Sequence, residues 1–306
     1  MPSSSRKPAT VLCAGIAVQD LLFKVDKFPP PGGKTMTHDF MTVCGGCAVN
    51  AAIAVARLGG GARYTGPLGD AEDNPSNQLI AAMQKEGIDT AHIVRVAGAA
   101  IPVSGIMIDA TGERIIVTYR DRSIEAASPP DLDRLLAGVT LLLADNRFPD
   151  FVRPICEAAR RQGIPVVLDA DRPTSEDDPL FGFPSHVVFS SECLRATTGE
   201  SDLGAGLMRM AARTKAFLAV SDGPNPVRYI ADGELRSLPV FQVDAIDTLA
   251  AGDVFHAGFA LALAEGRDEI AALRFGAAAA GLKCTRFGGS MGAPLRADVE
   301  GLLKRA

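Results

Sequence analysis

Short β-branched or apolar runs alternate with longer Ala- and Leu-rich stretches along most of the chain, the rhythm of βα units that feed a parallel sheet. Core strands are expected over 10–17, 62–66, 139–144, 165–169, 186–190 and 216–221, and helices over 48–58, 77–86, 150–162, 203–213, 253–265 and 269–284. Gly59 and Gly87 follow two of these helices closely, as C-terminal caps should. Two N-terminal segments break the rhythm. Residues 21–43 and 101–119 read as extended chain with turns, Pro29-Pro30-Pro31-Gly32-Gly33 in the first and Asp109-Ala110-Thr111-Gly112 in the second. Strands over 103–108 and 113–119 flank the second turn as a hairpin. The expected architecture is α/β, a doubly wound and mainly parallel sheet flanked by helices, over 1–20, 44–100 and 120–306. A small β-sheet lid over 21–43 and 101–119 stands beside it.

Composition narrows the classes. Of 306 residues 47% are hydrophobic and 22% charged, values that exclude a disordered or fibrous chain. The balance of 31 basic and 36 acidic residues, with no basic stripe, argues against a nucleic-acid surface. No apolar run approaches the roughly 20 residues of a membrane span. Arg6 and Lys7 ahead of an apolar stretch superficially resemble a secretory signal, but the stretch runs into Gln19-Asp20 without a cleavage site and suits a buried first strand. The six cysteines read as reduced, so a cytoplasmic location is expected. Cys44-Gly-Gly-Cys47 has CxxC spacing, yet His38, His92, His186 and His256 show no ligand spacing with it, and the glycines carry more weight than the sulfurs.

The strongest chemical signal is Asp247-Thr248-Leu249-Ala250-Ala251-Gly252-Asp253, entering an almost wholly apolar helix. A small-residue loop at a buried helix start lets N–H groups converge on an anion, and the adjacent carboxylate can take a proton from a hydroxyl. Those are the parts of phosphoryl transfer to an alcohol. An acid in the first turn also favours the helix dipole, which is the purely structural alternative. The second signal is Gly45-Gly46-Cys47-Ala48-Val49-Asn50, where two glycines permit close approach of a ligand. Asn50 falls one turn inside an apolar helix, where its amide needs a partner, either a ligand or a neighbouring loop.

These two motifs, about 200 residues apart and in this order, resemble the two signatures of the ribokinase-like (PfkB) carbohydrate kinases. The resemblance implies MgATP as donor and a sugar or nucleoside hydroxyl as acceptor. It implies Asp253 as catalytic base, with the N–H groups of Ala250, Ala251 and Gly252 as the anion hole. Asp20, Gly45, Gly46 and Asn50 match acceptor-binding positions. On the nucleotide side it points to Ser190, Ser221, Gly223, Thr248, Gly288 and Ser290. Pro226 stands where a second Gly is usual, and Ser190 and Cys193 hold the key places of the usual Asn-x-x-Glu motif, so the magnesium ligands are unknown. The run Phe287–Pro294 resembles a loop that borders the adenine and, in many members, a monovalent cation such as K+.

Four further runs, Glu113-Arg114-Ile115-Ile116, Leu143-Ala144-Asp145-Asn146-Arg147, Asp253-Val254-Phe255-His256 and Leu282-Lys283-Cys284-Thr285-Arg286, resemble the sulfofructose kinase branch. That resemblance implies 6-deoxy-6-sulfofructose as acceptor, phosphorylated to its 1-phosphate, with Arg147 and Lys34 on the sulfonate. Thr118 stands where an Asn contact is expected. Arg147 has the alternative of pairing with Asp145 or Asp150. Fructose, a keto-deoxy sugar acid, ribose or adenosine remain open as acceptors, as does a non-catalytic regulator on the same scaffold. Exposed lid strands are expected to pair two subunits into a homodimer.

Overall fold

The run Leu-Leu-Leu-Ala-Asp at 141–145 is buried along its whole length, as is Val-Val-Leu-Asp-Ala at 166–170, because helices cover both faces of the sheet they belong to. The computed structural model describes residues 9–37 and 39–305; Arg6, Lys7 and His38, which entered the reading of the sequence, lie outside them. In chain order the elements are β1 (Thr10–Ala14), β2 (Val18–Lys24), β3 (Asp39–Gly45), α1 (Cys47–Arg57), β4 (Gly61–Thr65) and α2 (Asn74–Lys85). Next come β5 (Val103–Ile108), β6 (Arg114–Tyr119), β7 (Leu141–Asp145), α3 (Pro149–Arg161), β8 (Val166–Ala170), β9 (His186–Ser190) and α4 (Ser191–Thr198). The chain continues through α5 (Leu203–Ala211), β10 (Phe217–Asp222), β11 (Asn225–Ala231), β12 (Glu234–Leu238), α6 (Ala251–Ala264), α7 (Glu269–Cys284) and α8 (Arg296–Arg305).

The main sheet has the order β12-β11-β10-β9-β8-β7-β1-β4. Its pairs are parallel from β4 to β10, and β11 and β12 close one edge as an antiparallel hairpin. The lid sheet has the order β3-β2-β5-β6; its outer pairs are antiparallel and its central pair, β2 with β5, is parallel. No described helix is long and apolar enough to cross a membrane.

Three features differ from the sequence expectation. The strand expected over 10–17 is cut at Gly15, whose φ of +149° turns the chain out of the main sheet. A Cβ there would overlap the Asp145 carboxylate. β2 therefore starts at Val18, and the lid sheet takes in 18–20 and 44–45, which the expected division placed in the body. The edge hairpin over 225–238 was not expected; only Val227 and Tyr229 of β11 alternate inward, and β12 is almost wholly exposed. Gly59 and Gly87 do adopt positive φ, +83° and +79°, behind α1 and α2.

Helices α6 and α7 pack against each other, and α1 against α6. α6 is buried from Val254 through Ala262, so its apolar character runs all round rather than along one stripe. Close approach depends on small residues: a Cβ on Gly276 would lie 2.6 Å from the Phe255 carbonyl oxygen. Gly276→Val is therefore expected to destabilise the fold by about 1–3 kcal/mol. A lower urea midpoint at unchanged slope is the measurement that checks it.

Candidate active site

The strand ends of the main sheet and the root of the lid converge on one group of carboxylates. Asp20, on β2, is buried beside Ser104 of β5, its register partner, and Ser104 in turn shares a 2.9 Å hydroxyl hydrogen bond with Thr118 of β6. A Cβ on Gly45 would overlap the Asp20 carboxylate, so glycine makes the space that the acid fills. Gly46 caps α1 at φ +90°, with the Ile16 carbonyl oxygen 2.5 Å from where a Cβ would stand. One turn into α1, Asn50 donates from Nδ2 to Asp253 Oδ2 at 2.7 Å. The two sequence motifs are thus joined by a direct hydrogen bond. Asn50 Oδ1 is buried with no partner among the described residues.

Below them, Asp145 at the end of β7 accepts the N–H groups of Ile16 (2.8 Å) and Arg147 (2.9 Å). The Arg147 guanidinium forms an ion pair with Asp171, not with Asp145 or Asp150, while its Nε is buried without a partner. Asp150 pairs instead with Arg153. Asp169 is buried, its Oδ1 also lacks a partner, and its Oδ2 lies 3.4 Å from Nδ1 of His256 on α6. Lys34 is exposed in the connection between β2 and β3 and makes no ion pair among the described residues. The structure therefore brings together Asp20, Gly45, Gly46, Asn50, Thr118, Arg147 and Asp253, and leaves Lys34 outside the group.

Burial pushes the Asp20 carboxyl up to about 7, with the Ser104 hydrogen bond opposing and the Asp253 charge adding. Burial and the Asp145 charge raise Asp169 to about 7. Asp253 rises to about 6 through burial and Asp169, held back by the Asn50 amide. Burial lowers His256, so it faces this cluster as a neutral imidazole. Ligand atoms of Cys47, Asp169 and Asp253 lie within 4.8 Å of one another. Burial holds the Cys47 thiol far above its usual value, and Asn50 already binds one Asp253 oxygen. This set offers no all-oxygen cage for a hard cation such as Mg2+.

The 247–253 loop is fixed from beneath. Asp247, fully buried, accepts N–H bonds from Leu249 (2.8 Å), Gly288 (2.9 Å) and Gly289 (3.0 Å) and pairs with Lys283 Nζ at 2.9 Å. Ala250 takes φ +62°, a left-handed value rare for alanine, and turns the chain into α6. The Ala251 N–H lies 3.2 Å from the Thr248 carbonyl, and those of Ala250 and Gly252 meet no protein acceptor among the described residues. The lid tip reaches this loop. Arg114 donates to the Thr248 hydroxyl at 2.7 Å, and Leu249 packs with Leu22, Val43, Ile106 and Ile108 in the small lid core.

Farther along the same edge of the sheet, Ser190 and Ser221 are register partners at the ends of β9 and β10. Ser190 caps α4 by accepting the Cys193 N–H at 3.2 Å, and Gly223 turns at φ +56° with open space around it. Cys193 is a buried thiol pushed up to about 11, no ligand for magnesium. Gly288 and Ser290 serve the protein itself: Gly288 donates its N–H to Asp247, and the buried Ser290 hydroxyl donates to the Cys44 carbonyl at 3.3 Å.

Comparison with known proteins decides what this arrangement belongs to. Residues 8–296 match the model of the pfkB family of carbohydrate kinases. The chain belongs to the pfkB family of carbohydrate kinases. It is 31% identical over 297 residues to the ribokinase of Bacillus subtilis, covering 94% of this kinase and 97% of that protein. Its fold matches, with a TM-score of 0.93 at 35% identity, a solved structure from Agrobacterium tumefaciens that carries a provisional ribokinase name, over 97% and 98% of the two chains. A fructokinase with bound ATP from Xylella fastidiosa matches at a TM-score of 0.79 and 26% identity, over 97% and 98%.

Reading the sequence missed several residues of this kinase that the fold gathers here. Asp145 and His256 stood in the runs 143–147 and 253–256 without a site role, Asp145 only as an alternative partner of Arg147, and Asp169 was visible only as the polar ending of an apolar strand. Asp171, the partner of Arg147, carried no signal at all.

The crowded carboxylates have a thermodynamic signature. A folded carboxyl raised from about 4 to about 7 binds a proton that the unfolded chain has released, so stability falls as pH rises through that window. Asp169→Asn removes one such group. It is expected to stabilise the fold at pH 8 more than at pH 5 by about 3 kcal/mol, from the two pH units between 5 and about 7 at ~1.4 kcal/mol each, and so to raise the melting temperature more at pH 8. Paired thermal melts at the two pH values test this.

Proposed function

We propose that this kinase transfers the γ-phosphoryl group of MgATP to a primary hydroxyl of a small sugar, with Asp253 as the base. The observation that carries the reading is the Asn50–Asp253 hydrogen bond beside the open N–H groups. Asn50 holds one carboxylate oxygen and leaves the other toward the pocket, a single residue from the N–H of Gly252. The acceptor oxygen gives its proton to Asp253 and bonds to phosphorus as the bond to ADP breaks. The open N–H groups of Ala250 and Gly252 meet the charge on the transferring group, while the Ala251 N–H expected beside them is held by the Thr248 carbonyl. A carboxyl near 6 is ionised at neutral pH and is a stronger base than free aspartate. Magnesium enters with the nucleotide as the MgATP chelate; no step here is assigned to protein ligands of the ion.

The acceptor we favour is uncharged. Asp145, Asp169, Asp171 and Asp253 gather around Arg147, with Asp20 near Asp253, and Asp171 already meets the charge of Arg147. The unpartnered Asn50 Oδ1 and Asp169 Oδ1 suit hydroxyl donors of a sugar. Relatives named ribokinase and fructokinase agree with a neutral pentose or ketose. The second reading is 6-deoxy-6-sulfofructose, favoured by the buried, unpartnered Arg147 Nε. It requires the sulfonate to displace Asp171. Six unpaired cysteines fit a reducing, cytoplasmic setting.

An ADP-release assay over ribose, fructose and 6-deoxy-6-sulfofructose separates the readings. Turnover on a neutral sugar supports the first. Turnover confined to the sulfosugar, abolished by Arg147→Ala, moves the assignment to the second, and no turnover on a broad panel leaves a ligand-binding protein. Asp253→Asn is expected to lower kcat by about 10²–10⁴ while ATP still binds, and to remove the acid limb near pH 6. An unchanged kcat rejects the base assignment.

We also propose a homodimer through the lid. All six residues of β6 are exposed, including Ile115, Ile116, Val117 and Tyr119, on an open sheet edge. Light scattering should give twice the chain mass, and Val117→Lys with Ile115→Lys should give the monomer.

A further inference from the structure

Lys283 is fully buried in the last turn of α7, with no surface for its ammonium to reach. Its Nζ donates to the Asp247 main-chain carbonyl at 2.7 Å and lies 2.9 Å from Asp247 Oδ2. A carboxylate and a peptide carbonyl of one residue thus hold a single cation beneath the 247–253 loop. A buried Asp247 needs such a countercharge, because an unpaired carboxylate out of water is strongly disfavoured.

The surrounding loop settles which kind of cation the place can take. Gly288 and Gly289, at φ +110° and +58°, turn their N–H groups toward Asp247 Oδ2, at 2.9 and 3.0 Å. A free monovalent ion is bound by converging oxygens, whereas this segment presents donors. The side chain of Lys283 already takes the two Asp247 oxygens that could anchor an ion. The K+ expected from the resemblance of the 287–294 run therefore does not fit.

We propose that Lys283 is a tethered cation, a positioning residue that holds the 247–253 loop in place of a diffusible monovalent ion, so that this kinase needs no K+. The tether keeps the ammonium at the site whatever the salt composition, while Asp247 passes the constraint to Leu249 and so to the start of α6. The proposal rests on reading that loop as the phosphate cradle, but its consequence for loop stability does not require a known acceptor.

The test compares melting temperature and ATP affinity in KCl, NaCl and tetramethylammonium chloride at equal ionic strength. For the wild-type protein, ATP affinity is expected to change by less than about twofold between salts, with no K+-specific rise in melting temperature. Lys283→Ala vacates the ammonium position. It should melt lower and bind ATP more weakly, and K+ or NH4+ should restore both in a saturable way. Lys283→Met, which fills the space without the charge, should stay impaired in every salt. A K+-specific gain of more than about fivefold in wild-type ATP affinity overturns the proposal, as does equal recovery of both variants in tetramethylammonium. Failure of either variant to fold leaves the wild-type salt comparison to decide. Absence of ATP binding by the wild type in all salts would count against the kinase reading, and the melting comparison would still judge the tethered cation.

Discussion

The Asp247 carboxylate is the fixed point of the catalytic edge. It is fully buried, and its two oxygens take N–H groups from its own loop and from the 288–289 turn, together with the ammonium of α7. A buried polar network satisfied this fully is rigid, because any displacement strands a charge in low dielectric. The strained left-handed Ala250 and the direction of α6 follow from that anchor, and so does the aim of Asp253. The acceptor side has the opposite character. Asn50 Oδ1, Asp169 Oδ1, Arg147 Nε and both nitrogens of His256 are buried without hydrogen-bond partners among the described residues. One half of the site is complete in itself and the other is built to be completed.

That contrast appears in the charges. Burial raises Asp20, Asp169 and Asp253, and the neighbouring charges of Asp253, Asp145 and Asp169, respectively, add to it. A fold selected only for stability would replace at least one with an amide. Their retention is the trade of stability for chemistry that functional sites make.

Much of this was legible in the sequence, for reasons particular to each element. The helix over 269–284 ends where the pattern places it, because Asp268 caps one end and the apolar run stops at the other. The two motifs pointed to the pfkB family because close backbone approach leaves a glycine signature that local chemistry can interpret. The hairpin over 225–238 escaped because edge strands bury little, although Asp232-Gly233, both at positive φ, was a readable turn signal. The roles of Asp171, His256 and Lys283 escaped for another reason. Each is defined by a partner distant in sequence, 24 residues for Arg147 with Asp171 and 36 for Lys283 with Asp247. Lys283 did leave a trace, both in the 282–286 run and as a cation directly after the uncharged stretch 275–282, which is rare at a buried position unless something anionic waits for it.

The chain crosses between body and lid on either side of the β5–β6 hairpin and at two glycines, Gly15 between β1 and β2 and Gly46 between β3 and α1, these with φ of +149° and +90°. Asp20, Gly45 and Asn50 all lie within five residues of one crossing or the other, whereas Gly112 and Arg114 stand at the far tip against Thr248. The lid is therefore a lever whose root carries Asp20 and Gly45 beside Asn50 and whose free end rests on the 247–253 loop. Rotation about such a fulcrum moves the tip a long way and the root hardly at all. Any rotation about that root would lift Gly112 and Arg114 off Thr248 while moving Asp20, Gly45 and Asn50 very little.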